Sequence, residues 1–195
     1  PIDVRYIIRS IADNHEFLET YEQYASNVVT GFAKFAGITV GIIANNGALR
    51  VDATKKAAEM VGTCDAFSIP VLTFTDILGY EKSLEAETKG IVKYGARFLA
   101  FLTSATVPKV NIILRNGVGN AYLVMNSKHI GADIVYAWPS AKIGLLDQTA
   151  AVDIMGISNE DYQSYTSPYN VASKGYIDSI IIPANTRKRV ISAMS

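Results

Sequence analysis

The sequence predicts an α/β fold, and three observations carry that prediction. Short apolar runs rich in β-branched residues, at 71–75 and 110–114, lack the polar alternation of a half-exposed strand and read as strands covered on both faces. Turns marked by glycine, asparagine or proline separate these runs from stretches with helical spacing, so strands and helices alternate along the chain. Hydrophobic residues make up 49 % of the 195 residues and charged ones 18 %, which supplies a sizeable core and excludes global disorder. By length the chain is expected to be a single domain, 1–195.

The elements follow in order. Residues 1–13 open with Pro1 and Asp3, which suit a helix N-terminus: one lacks an N–H and the other brings negative charge. Residues 28–35 and 38–44 are apolar runs joined at Ala36-Gly37, the pattern of a hairpin. Asn45-Asn46-Gly47 breaks the chain before a helix at 51–67. The strand at 71–75 is stopped by Asp76 and Gly79. Leu84, Ile91, Gly95, Leu99 and Leu102 fall on one face of a helix of about five turns. After Pro108 comes the strand at 110–114, and Gly117-Val118-Gly119 turns the chain into a helix near 120–128. Short strands at 134–137 and 142–146 flank Trp138-Pro139, and a last helix runs from about Asn185 to the end. In such a fold, sites form where strands end and helices begin, here at 76–80, 115–122 and 145–152.

Composition excludes several classes of function. Eighteen Lys and Arg balance eighteen Asp and Glu, so the chain lacks the clustered positive charge that nucleic acid or an anionic membrane requires. The little charge it has implies a surface partly covered by a partner. Cys64 is the single cysteine, which rules out a disulfide framework and fits a reducing compartment; its apolar surroundings mark a buried structural thiol. No run reaches the roughly 18 apolar residues of a membrane span, and no signal-peptide pattern is visible, so the expected location is cytoplasmic. Pro1 in place of an initiator Met leads to the expectation of a processed or excised chain. His15 and His129 lack metal-ligand spacing, and no Ser-His-Asp or Cys-His arrangement is discernible. Glu85, Glu87 and Lys55-Lys56 read as solvated helix faces.

The three strand-to-helix places carry a resemblance. Lys56-Ala57-Ala58, Cys64-Asp65-Ala66-Phe67, Ala105-Thr106-Val107-Pro108-Lys109, Gly119-Asn120-Ala121-Tyr122, Gly131-Ala132-Asp133, Ala137-Trp138-Pro139 and Gly175-Tyr176-Ile177-Asp178 are distinctive and in order over essentially the whole chain. The sequence resembles the carboxyltransferase family of biotin-dependent acyl-CoA carboxylases and decarboxylases. It is similar to the C-terminal half of propionyl-CoA carboxylase β chains and of methylmalonyl-CoA or glutaconyl-CoA decarboxylase α chains. The resemblance implies a crotonase-like fold, a spiral of ββα units, with Pro1 at the usual junction between two such domains. It also implies an acyl-CoA substrate, biotin carried on a biotin carboxyl carrier protein, a separate acyl-CoA-binding N-terminal half, and a homo- or hetero-oligomer.

The site residues come with it. The amides of Asn120 and Ala121 are implied to form an oxyanion hole facing biotin, with Gly117 and Gly119 shaping the turn. Asn120 stands where the family has glycine. Gly79 and Tyr80 lie in a loop near the biotin pocket, where the family's Gly-Phe-Leu-Pro-Gly has lost its proline and second glycine. Leu123 matches a position bordering the acyl pocket. Asp147 and Ala150 replace two glycines of the family's Met-Gly-Ala-Glu-Gly-Ala-Val segment, and the stretch 153–162 is shorter than the family's helical insertion. These departures leave open a non-catalytic subunit kept for assembly. A stand-alone crotonase-like hydratase or isomerase is a third reading, with Asp147 as its one candidate acid or base.

Overall fold

A computed structural model describes residues 3–45 and 47–194. The expected helix start at Pro1, the middle residue of the Asn45-Asn46-Gly47 break and the last residue of the C-terminal helix lie outside the described residues.

The chain opens with helix α1 (Val4–Ile11), whose first turn is capped by the Asp3 carboxylate accepting from the Arg5 amide. Strand β1 (Leu18–Thr20) leads to the hairpin of β2 (Val28–Phe35) and β3 (Ile38–Asn45), with Ala36 and Gly37 both at positive φ in the turn as the dipeptide predicts. Helix α2 (Val51–Ala66) and strand β4 (Val71–Ile77) follow. The single long helix expected at 84–102 is instead two, α3 (Leu84–Thr88) and α4 (Ile91–Ser104). Gly90 separates them at φ +82°, a left-handed conformation that ends one helix and starts the next. Leu84 is consequently exposed, while Ile91, Gly95, Phe98 and Leu102 face inward.

Strand β5 (Lys109–Val118) is the longest, and it runs into the one-and-a-half-turn helix α5 (Asn120–Val124), shorter than expected. Strands β6 (Ile134–Ala137) and β7 (Lys142–Gly144) precede three helices the sequence reading had not assigned: α6 (Gln148–Met155), α7 (Asn159–Thr166) and α8 (Pro168–Ser173). Strand β8 (Ser179–Ile180) and helix α9 (Thr186–Met194) complete the described chain.

Among the described residues all eight strands join one sheet of order β1-β2-β3-β4-β5-β6-β8, with β7 paired to the far half of β5. The β1, β2 and β3 neighbours are antiparallel, and the remaining pairs are parallel. The absence of polar alternation now has its cause. Ile43, Val71 and Ile113 pack on one side against α2, α4 and α5, while Ile42, Leu72, Phe74, Val110 and Ile112 pack on the other against α1 and α9. Helix α9 is fixed from two sides: the Trp138 indole N–H donates to Thr186 Oγ1 at 3.1 Å, and the Arg187 guanidinium bonds the Ile11 carbonyl and the Asp13 carboxylate.

Lys56 departs from the sequence reading. It is 2 % exposed, and its ammonium donates to the carbonyls of Tyr21, Tyr24 and Val28 at 2.8–2.9 Å. Cys64 is buried as expected, and burial pushes its thiol up to about 12. No described helix is long and apolar enough to cross a membrane.

Candidate active site

The ends of β4 and β5 lie side by side, with Ile77 opposite Gly117. The ladder between them is irregular, because the register shifts between Thr75 and Ile77. Asp76 fills the irregularity. Its carboxylate accepts from Arg115 Nε at 2.8 Å, from the Arg115 Nη2 group, and from the Asn116 amide and Nδ2 at 3.2 and 2.9 Å. This clamp sets the height at which the two following turns leave the sheet.

Those turns are held close by glycine. Gly119 sits at φ +80° and ψ 179°, a conformation nearly reserved for glycine, and Gly79 has φ +130°. A Cβ on Gly119 would lie 3.6 Å from the Gly79 Cα. On the opposite side the Gly119 amide donates to the Gly144 carbonyl at 2.9 Å. The turn is thus clasped between the β4–α3 loop and β7.

Helix α5 begins at this turn. The Tyr122 amide returns to the Gly119 carbonyl at 3.0 Å, whereas the amides of Asn120 and Ala121 have no acceptor among the described residues. That is the expected state of first-turn donors. Asn120 is exposed and Ala121 fully buried. Beneath them the Tyr122 ring is 1 % exposed and lies on Gly117, where a Cβ would come 3.0 Å from its Cδ2. Burial raises the Tyr122 phenol far above its ordinary range. His129 meets Tyr122 edge-on at 6.1 Å and stacks on Tyr176 at 4.5 Å. Partial burial lowers the His129 imidazole from its ordinary 6.5.

Of the sequence-predicted residues, Tyr80, Asn120 and Leu123 line one groove of about 1040 Å³ between α4 and α5, with Ile91, Val92 and Leu99 among its apolar walls. Tyr80 is placed by a bridge to Leu49 and presses its Oη toward Gly95, where a Cβ would lie 2.8 Å away. Burial pushes its phenol up to about 12. Gly79 and Gly119 are apposed through their backbones, and Gly117 and Ala121 lie beneath the turn rather than in the groove wall. Asp147 is outside the groove lining. It is the N-cap of α6, with Oδ1 accepting from the Ala150 amide at 2.9 Å and Oδ2 lying 3.3 Å from Lys82 Nζ. The Ala150 amide, then Lys82, hold its carboxyl below the ordinary 3.8. A carboxylate so engaged is a poor candidate for a hydratase acid. Among the described residues no group of three metal-ligating side chains occurs.

Sequence reasoning missed the Asp76–Arg115–Asn116 clamp, the Tyr122 ring and Lys82. The signal for Lys82 was present as a charge in a loop where the family has proline, but its partner lies 65 positions away.

Comparison with known proteins places these features in context. A model of the carboxyl transferase domain matches residues 1–163. Propionyl-CoA carboxylase β chain of Cereibacter sphaeroides is 38 % identical over 100 % of this chain and 42 % of its own length. The methylmalonyl-CoA carboxyltransferase 12S subunit of Propionibacterium freudenreichii is 38 % identical over 98 % of this chain and 41 % of its own. A transcarboxylase 12S structure, described as a hexamer assembly with hydrolysed methylmalonyl-coenzyme A bound, superposes with TM-score 0.95 at 41 % identity, covering 98 % of this chain and 40 % of that one. The geranyl-CoA carboxylase β subunit of P. aeruginosa, at 22 % identity and TM-score 0.89, speaks for the fold alone. The fold is therefore the crotonase-like α/β fold of these carboxyltransferases. The chain spans about two fifths of the length of the curated relatives it matches.

Proposed function

The chain belongs to the carboxyl transferase domain family, and from that premise we propose that it is the biotin-side domain of an acyl-CoA carboxyltransferase, working with an acyl-CoA-binding N-terminal half and a biotin carboxyl carrier protein. In this reading residues 1–195 form one domain of a cytoplasmic oligomer, and the groove receives biotin.

The observation that carries the reading is the acceptor-free amide of Asn120 at the edge of an apolar groove, with the equally acceptor-free amide of Ala121 next in the turn beneath it. Carrier-borne biotin, when bound, would carry the carboxyl group, and the Asn120 and Ala121 amides would be the donors toward its ureido oxygen. The donor set fits this group. Two neutral N–H groups favour an oxyanion without requiring a proton to move, and the helix N-terminus adds its partial positive charge. Ile91, Val92, Leu99 and Leu123 give the groove an apolar lining that suits a bicyclic hydrocarbon-like face. Gly119 and Gly79 leave room for close backbone approach, and the Tyr122 ring wedged on Gly117 keeps the amides from retreating into the sheet.

A second reading, a non-catalytic subunit serving assembly, draws on one observation. Two residues that replace family glycines, Ser83 and Asp147, have become helix N-caps. One experiment separates the two. The full protein that carries this chain is assayed for carboxyl exchange between methylmalonyl-CoA and propionyl-CoA in the presence of biotinylated carrier. Asn120→Pro deletes one donor at the first helical position, where proline is tolerated. It is expected to lower exchange about 10²–10³-fold, the usual cost of one oxyanion donor, with unchanged thermal stability. Asn120→Gly keeps the N–H and restores close approach, so exchange is preserved or raised. No exchange in the unsubstituted protein favours the assembly reading, and an active Asn120→Pro variant removes the role assigned to the turn.

A further inference from the structure

Two departures from the family pattern, 65 positions apart in sequence, meet in the fold. Lys82 stands where the resemblance has proline and Asp147 where it has glycine, and Lys82 Nζ lies 3.3 Å from Asp147 Oδ2. The place of the pair follows from the turn it spans. Gly119 is clasped between Gly79 and Gly144, and Lys82 and Asp147 lie three residues beyond those two glycines. The pair therefore ties together the two segments that flank the Gly119–Asn120 turn.

Lys82 also lines the groove with Asn120 and is the one cation among the lining residues. Glu81 and Glu87 line it too, but Glu81 is turned toward Arg50 at 3.6 Å. Asp147 does not depend on Lys82, because its other oxygen caps α6. Among the described residues Asp147 is the only partner of Lys82, whose side chain is 81 % exposed. An ion pair this exposed contributes little to folding, so exchanging one carboxylate for another costs little.

Resting on the carboxyltransferase reading of this groove, we propose that Lys82 binds the carboxylate of the carboxylated substrate and that Asp147 is its resting partner, displaced when that carboxylate arrives. The group to be transferred is an anion in every donor of such a reaction. An ammonium lining the same groove as Asn120 recognises it by charge and hydrogen bond together. The acyl chain without its carboxylate gains nothing from Lys82. The residue therefore discriminates carboxylated from uncarboxylated acyl-CoA.

The test measures binding of methylmalonyl-CoA and of propionyl-CoA to the full protein by calorimetry. Lys82→Met is expected to weaken methylmalonyl-CoA about tenfold, in the range of a lost charged hydrogen bond, and to leave propionyl-CoA unchanged. Lys82→Arg retains the preference. Asp147→Ser keeps the helix cap while removing the competing carboxylate, and is expected to tighten methylmalonyl-CoA severalfold. If Lys82→Met weakens both ligands equally or neither, the pair merely braces the loop and the proposal falls. A weaker methylmalonyl-CoA complex in Asp147→Ser overturns the displacement. If the unsubstituted protein binds neither ligand, no carboxylated acyl-CoA is presented to Lys82, and the carboxyltransferase reading of the protein falls together with this assignment.

Discussion

Lys56 illustrates what a single residue can and cannot announce. In the sequence it is one of two adjacent lysines on an amphipathic helix, and the ordinary inference is a solvated face. In the fold the loop between β1 and β2 closes over it, and its ammonium gathers the carbonyls of Tyr21 and Tyr24 from that loop and of Val28 at the start of β2. Nothing in helical periodicity reveals which loop will cover a helix. Lys56→Met is expected to destabilise the protein by about 2 kcal/mol or more, because it leaves carbonyls without their donor; thermal unfolding measures this. Asn120 and Ala121 were named through the family resemblance rather than from the turn itself, and the structure shows their amides at a helix start with no acceptor among the described residues; their role is the one proposed above. Tyr122 was hidden, since an aromatic after such a turn is indistinguishable from any core residue until the ring is seen lying on Gly117.

At the scale of elements, the strands and the hairpin were legible because burial on both faces and the Ala36-Gly37 turn are written locally. The α3–α4 boundary was not: Gly90 interrupts a pattern whose apolar spacing continues through it. Helices α6 to α8 also escaped, since Ile154, Met155, Tyr165 and Tyr169 face outward and leave no inward stripe to recognise. The Asp76 clamp shows how two elements are brought to one site. Its carboxylate replaces the ladder bonds lost where β4 and β5 fall out of register, and both turns of the groove leave from that point. Asp76→Ala is expected to speed hydrogen exchange at the Gly119 amide by about tenfold or more, while the midpoints of thermal unfolding differ by only a few degrees. Equal exchange at Gly119 in the two proteins would show that the turn holds its position without the clamp.

Across the whole molecule, the ends of the chain are joined by charge. Asp13 accepts from the amides of Ala36 and Gly37 at 3.1 and 2.8 Å and from Arg187 at 2.5 Å, so one carboxylate links the start of the chain, the hairpin tip and α9. The Gly37 amide, then Arg187, lower its pKa from the ordinary 3.8. The folded state therefore favours the ionised form. The resulting stability is present above pH 3.8 and is lost as pH falls through the lowered value. Asp13→Asn is expected to reduce stability at pH 7 and to narrow the difference between thermal midpoints measured at pH 7 and pH 3; an unchanged difference would exclude Asp13 as a source of acid lability. Such long-range closures were invisible in the sequence, where Asp13 and Arg187 lie 174 positions apart.

The same C-terminal helix is watched by the chain's single tryptophan. Trp138 is part-buried among the apolar residues beside α9, and its indole N–H ends on Thr186. Its emission is consequently an internal gauge of whether α9 is seated. Light absorbed by the eleven tyrosines and passed to this one indole reports on that contact. A shift of its fluorescence toward longer wavelengths would signal the helix lifting away, in a sample carrying no dye and no label.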